Sequence, residues 1–176
     1  VSSDNQKINK IKNKYKKLEI INRPKNISKD NTPMSDVIKH SLKFFKMQNK
    51  KFDAVIVLQP TSPLRKKITI IKSIKKFVKY KLDYLASIKE LKHTQFPKMV
   101  FKITNKSLIK NMNFSVKNNK TKYYCLDGGT IFIFKVPGTY SLHGKGGFIK
   151  VKFPENIDID TKEDLLLTKN FLNEKY

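Results

Sequence analysis

The chain has 176 residues, 39% of them hydrophobic and 30% charged, with a formal net charge of +24. That length allows one domain with a real core, and that balance excludes a disordered chain. No apolar run approaches the roughly 20 residues of a membrane helix, the first residues lack a signal-peptide pattern, and a single cysteine, Cys125, excludes an internal disulfide and fits the reducing cytoplasm.

The first element in chain order is Val1-Ser2-Ser3-Asp4, which reads as the tail of a strand turning into a helix with Ser3 or Asp4 as its N-cap. Ile8 and Ile11 mark the buried side of that lysine-coated helix. Residues 18–21 (LEII) form a short strand, and a loop rich in Pro, Asn, Asp and Ser follows. Pro33 suits the first turn of a helix reaching about Gln48, with Val37, Ile38, Ser41, Leu42 and Phe45 on one face. The unbroken apolar run at 53–58 predicts a parallel strand covered on both faces. Residues 66–80 predict a helix with Ile71, Ile74 and Val78 at helical spacing.

Strands are then expected at 84–90 and 98–104, with an irregular polar excursion at 105–122. Residues 124–135 (YCLDGGTIFIFK) read as a Gly-interrupted or bulged strand. Another strand is expected within 147–154. A C-terminal helix follows, capped by Thr161 with Asp164 closing a capping box. The order predicts one α/β domain of three layers, with a mostly parallel sheet, helices on both faces and a small antiparallel excursion.

Three features bear on chemistry. The strand at 53–58 runs into Gln59-Pro60-Thr61-Ser62-Pro63-Leu64-Arg65, a rigid polar rim where open parallel sheets bind ligands. The plainer reading is a strand-to-helix connection with Thr61 or Ser62 as a cap. Asp158 and Asp160 stand two apart and share a side if the segment is extended. They either hold a cation such as Mg²⁺, which takes one or two carboxylates plus substrate phosphates, or one caps the last helix. Arg23 and Arg65 are the two arginines among 36 lysines. Each offers a planar fork of donors that lysine lacks, toward a ligand anion or a structural partner. The lysines are scattered and no aromatic-interleaved basic motif is present, so the charge reflects lysine-rich codon usage and nucleic acid is not an expected partner.

LQPTSPLR (58–65), followed about a hundred residues later by IDIDT (157–161), resembles the acylneuraminate cytidylyltransferases, the CMP-sialic acid synthetase family. RPKNISKDNTPMSDVIKHSL (23–42), SIKELKHTQFPKM (87–99) and DGGTIFIF (127–134) resemble further segments of that family in the same order. The resemblance implies a Rossmann-like nucleotidyltransferase fold. It implies transfer of CMP from CTP to a nonulosonic sugar acid, with Mg²⁺ and release of pyrophosphate. It assigns Asp158 and Asp160 to the metal and catalysis, Arg23, Thr32 and Ser35 to the nucleotide, and Gln59, Arg65, Lys98 and Phe132 to the sugar acid. His93 lies beside the sugar segment and is expected to be structural. The resemblance also implies a homodimer, with 105–122 a candidate contact.

Two departures stand out. The family's first strand and phosphate loop, about 40 residues, would precede Val1, so residues 1–176 alone are expected to bind CTP poorly. Phe132 replaces a frequent Tyr, and Met34 stands near a position that is often small and polar. Two rival readings are a non-catalytic basic α/β module binding an anionic polymer and a cytidylyltransferase for the eight-carbon sugar acid of lipopolysaccharide.

Overall fold

In the computed structural model, residues 1–15, 17–92, 101–104, 108–111 and 122–173 are described. Alternation in the central strands decides the architecture, because successive side chains point to opposite faces of a sheet. Strand β4 (Tyr84–Glu90) and strand β8 (Phe132–Lys135) send Leu85 and Ile133 to one face and Ala86, Phe132 and Phe134 to the other. Helix α3 (Lys67–Lys79) covers the first face through Phe77 and Ile70, beside Leu82 and Ile131. Helix α2 (Met34–Lys46) covers the second through Ile38, Met34 and Leu42. The expected layers, with helices on both faces, are therefore present.

The directions of the strands differ from the expectation. Strand β3 (Ala54–Val57) pairs with β8 antiparallel, and β8 pairs antiparallel with β4. Strands β3 and β4 are thus parallel to each other, but β8 lies between them. Strand β7 (Tyr124–Leu126) continues the line of β8 along β4, also antiparallel. Strand β9 (Gly146–Lys150) pairs with β4 in parallel. The main sheet is therefore mostly antiparallel by neighbour. A chain returning between two parallel strands leaves no mark in the residues of either strand, so apolar content alone misreads the pairing.

Strand β3 is also not covered on both faces. It stands at the end of the sheet among the described residues, with Ile56 38% and Leu58 41% exposed. Strands β1 (Ser2–Ser3) and β2 (Ile21–Asn22) form a separate parallel pair. Strands β5 (Phe101–Thr104) and β6 (Leu108–Asn111) form a separate antiparallel pair, which agrees with a small excursion. Most of the 105–122 segment lies outside the described residues.

Two helices depart from their expected faces or caps. Helix α1 (Asn9–Lys14) follows a 3₁₀ turn at 6–8 capped by Asn5, whose Oδ1 accepts from Lys7 N at 3.0 Å, rather than by Ser3 or Asp4. Its Ile11 is exposed. Helix α3 buries Thr69, Ser73 and Phe77, while Ile71, Ile74 and Val78 face solvent. Ser73 is wholly buried because its hydroxyl donates to Thr69 O at 2.8 Å, which leaves no unpaired polar group. The small Thr69 and Ser73 thus share the inward face of α3 with Phe77, and Ile70 packs beside them on the core.

That rotation of α3 is directly testable by urea denaturation. Phe77→Ala should cost about 3–5 kcal/mol. Val78→Lys should change stability by no more than about 0.5 kcal/mol. The reverse ranking would restore the face expected from the sequence.

Candidate functional site

A break in the sheet builds the site. Leu126 pairs with Ile88 and Phe132 with Ala86, so residues 127–131 all stand opposite Ser87. Ser87 is wholly buried and ties both ends of this bulge. Its backbone O accepts from Asp127 N at 3.4 Å, and its N donates to Ile131 O at 3.0 Å. Its hydroxyl reaches Asp127 Oδ1 at 2.6 Å and accepts from Ile131 N at 2.9 Å. The Gly-interrupted strand read from the sequence is this bulge.

Gly128, Gly129 and Thr130 bow out of the sheet and meet two other segments. Gly128 has φ +104 and lies so close to Asp158 that a Cβ would collide with its Oδ2. Gly129 has φ +155, and a Cβ there would come within 2.6 Å of Gln59 Oε1. Glycine is needed for space at both, and at Gly128 also for backbone conformation. Thr130 is buried and its hydroxyl donates to Glu155 O at 3.3 Å.

The polar rim after β3 is held by the same elements. Gln59 N donates to Gly129 O at 3.4 Å, and Ile159 N to Thr61 O at 2.8 Å. Buried Ser62 donates to Asp158 Oδ1 at 3.3 Å. Glu155, also buried, accepts from Lys66 N at 3.0 Å, and this places a carboxylate at the start of α3 where the helix dipole favours it. Neither Thr61 nor Ser62 is the residue that flanks that helix. Thr61 Oγ1 is buried without a hydrogen-bond partner among the described residues.

Arg65 closes the rim on itself, because its Nη2 donates to the backbone O of Gln59. Burial lowers the Arg65 pKa from its ordinary value, and the carboxylates of Asp127 and then Asp158 oppose that shift. The guanidinium thus lies in the field of two carboxylates and stays charged. Its contact with the Gln59 O braces the loop that carries that residue.

Asp158 and Asp160 do not lie in an extended segment. Asp160 N donates to Asp158 O at 3.1 Å, which makes a tight turn. Asp158 is half-buried against Ser62 and Gly128, whereas Asp160 is exposed. Helix α4 (Lys162–Asn173) begins immediately after. Its capping box is as expected: Thr161 N donates to Asp164 Oδ2 at 2.9 Å, and Asp164 N to Thr161 Oγ1 at 3.2 Å. Asp164 Oδ2 also accepts from Asp160 N at 3.3 Å, so the cap anchors the acidic turn.

The other residues singled out by sequence fall elsewhere. Phe132 was expected to touch sugar, but its ring is buried in the core and stacked on Phe134 at 6.1 Å. Arg23 sits beside the β1–β2 pair, with its Nη2 3.4 Å from Asp4 Oδ1. Thr32 Oγ1 accepts from Lys29 N at 3.1 Å, and Ser35 reaches Asp36 at 3.5 Å. Among the described residues no hydrogen bond joins Arg23, Thr32 or Ser35 to the rim. Met34, next to Ser35, does pack on the same cluster as Val57 at the end of β3. Lys98 and His93 lie outside the described residues. Sequence reasoning gave no role to Asp127 or Ser87. A serine in the buried half of YLASIKE and an aspartate before Gly-Gly were the available signals.

No family model matches the chain. It is 25% identical, over 99% of its length and 77% of the relative's, to a post-translational flagellin modification protein B of Campylobacter coli. By structure it is similar to a CMP:2-keto-3-deoxy-manno-octonic acid synthetase complexed with CTP, with a TM-score of 0.62. That likeness covers 100% of this chain and 80% of the synthetase at 11% identity, and so speaks for the fold. The resemblance to sugar-acid cytidylyltransferases is borne out. An α/β fold shared with such a synthetase carries the rim, the bulge and the acidic turn. No helix among the described residues is long and apolar enough to cross a membrane.

Two measurements check the geometry of this site. Gly128→Ala should lower stability by more than about 1 kcal/mol in urea unfolding, because alanine is strained at this φ and meets Asp158. Hydrogen bonds from the Thr161 side chain and then its backbone hold the Asp164 pKa below its ordinary value. Asp164 therefore stabilises the fold above the usual carboxylate range and loses that effect as pH falls through its native pKa. Asp164→Ala should lower the melting temperature at pH 7, and the gap to the parent should close on acidification.

Proposed function

We propose that the protein transfers CMP from CTP to a nonulosonic, sialic-acid-like sugar acid. The anomeric hydroxyl oxygen forms a bond to the α-phosphorus, the bridging P–O bond to the β-phosphate breaks, pyrophosphate leaves and the hydroxyl proton passes to water. The observation that carries this reading is the convergence of LQPTSPLR, DGGT and IDID on one rim, through Gly128 on Asp158, Gly129 on Gln59 and Ser62 on Asp158. The similarity to a flagellin modification protein supports an activated sugar for protein modification as the product.

The residues present fit Mg²⁺ of the kind that takes one or two carboxylates and substrate phosphates. Asp158 offers a half-buried carboxylate with no direct ion-pair partner among the described residues, and Asp160 an exposed one. Among the described residues no group of three or more acidic, His or Cys side chains forms a complete cage. Asp158 would hold the ion, with Asp160 next in reach. The ion would neutralise the charge that develops on the phosphates. Gln59, with its backbone N–H held by Gly129 O and its backbone O by Arg65, would orient the sugar acid through its side chain. Arg23, Thr32 and Ser35 are assigned to the nucleotide by resemblance, and Lys98 to the sugar carboxylate. A cytoplasmic location and a homodimer belong to the same proposal.

The test uses the product of the whole reading frame with CTP, Mg²⁺ and either N-acetylneuraminic acid or the eight-carbon acid, reading pyrophosphate release and the CMP-sugar. Turnover should favour the nine-carbon acid. Asp158→Asn should lower kcat/KM by about 100-fold or more, as expected when the support of a catalytic ion is lost. Preference for the eight-carbon acid would shift the substrate. Absence of pyrophosphate release with both acids, together with salt-screened stabilisation by polyanions, would favour a binding module instead.

A further inference from the structure

Asp127 is the most deeply buried carboxylate of the described chain, at 1% exposure, and the reaction outlined above leaves it without a task. Its Oδ1 is fixed by the Ser87 hydroxyl at 2.6 Å, and its Oδ2 is buried with no hydrogen-bond partner among the described residues. A buried carboxylate is costly unless hydrogen bonds and an opposite charge stabilise it, and the Ser87 hydroxyl supplies only the first. The nearby cation is Arg65. Its Nη2 shares the Gln59 backbone O with Ser62 N, which lies 3.3 Å from that oxygen. Ser62 donates on to Asp158, and Gln59 N donates to Gly129 O, two residues after Asp127. The guanidinium lies in the field of both carboxylates. Arg65 forms no direct ion pair with either among the described residues, and its Nη2 is tethered instead to Gln59 O.

This arrangement poses an electrostatic problem for Asp158. A guanidinium beside a carboxylate competes with any divalent cation for it. Two negative charges and one positive charge leave one negative charge over, and it can serve Asp158 only if Asp127 offsets Arg65. We propose that Asp127 is a positioning residue: fixed by Ser87, it balances the Arg65 charge and keeps the Asp158 carboxylate available to a divalent cation. Gly128 couples the two geometrically, since it follows Asp127 in the chain and packs on Asp158. The proposal rests on the reading of Asp158 as a metal ligand.

The experiment titrates Mn²⁺ by electron paramagnetic resonance into the whole reading-frame product with CTP present, and records the melting temperature of each variant. Asp127→Asn retains an oxygen for the Ser87 hydroxyl and removes only the charge. It should weaken Mn²⁺ binding about five- to tenfold. The double variant Asp127→Asn with Arg65→Gln removes the uncompensated cation as well, and Mn²⁺ affinity should return to within about twofold of the parent. A purely structural role would instead lower melting temperature and affinity together, with the double variant worse than either single one. Mn²⁺ affinity unchanged by Asp127→Asn, or no recovery in the double variant, would overturn the positioning role alone. A parent protein that binds no Mn²⁺ in the presence of CTP would overturn the assignment of Asp158, and this inference with it.

Discussion

Everything at the candidate site depends on one buried serine standing opposite five residues. Ser87 uses its N–H, its carbonyl and its hydroxyl to tie Asp127 and Ile131 together across the bulge. A sheet with a regular ladder there would keep residues 128–130 flat within it. Because the ladder is broken at Ser87, the backbone of Gly128 and Gly129 reaches Asp158 and Gln59 instead. The core on either side is continuous, with Leu85 and Ile133 on one face and Ala86 and Phe132 on the other. The bulge is therefore a local irregularity held by a well-packed frame, which is where functional groups are best positioned.

The rim, the bulge and the acidic turn come from segments far apart in sequence, yet each is fixed by short polar contacts to the others. Thr61 meets Ile159, Ser62 meets Asp158, and Thr130 and Lys66 meet Glu155. Such cross-links replace secondary structure in a region that has little of it. They also explain the two prolines of the rim, since a loop with fixed φ loses less entropy when ordered.

Much of this was legible in the sequence. Helices α2 and α3, strands β3 and β4, the bulge at Gly128–Gly129 and the Thr161–Asp164 box follow from period, caps and turn residues. What escaped depended on partners. The antiparallel insertion of β8 between β3 and β4 is a property of the chain path. The inward face of α3 is the one that carries Thr69, Ser73 and Phe77, set by its packing partners rather than by isoleucine spacing. Asp158 and Asp160 were paired on the assumption of an extended segment, and a single hydrogen bond from Asp160 N to Asp158 O bends it. The resemblance assigns Phe132 to the sugar acid, where a Tyr is frequent, and alternation packs its ring in the core beside Phe134.

Among the described residues strand β3 ends the sheet, with Ile56 and Leu58 exposed. An edge of this kind is a template for pairing with another chain. The lysine coat opposes unspecific pairing there, since a net charge of +24 adds a general repulsion between copies that a specific dimer contact has to outweigh. The repulsion is long-ranged in dilute buffer and short-ranged in concentrated salt, where the Debye length shrinks to about 3 Å at 1 M. Colloidal stability of this protein is therefore tied to ionic strength, and the lysines that add nothing to the chemistry of the site oppose unspecific pairing of its sheet edge.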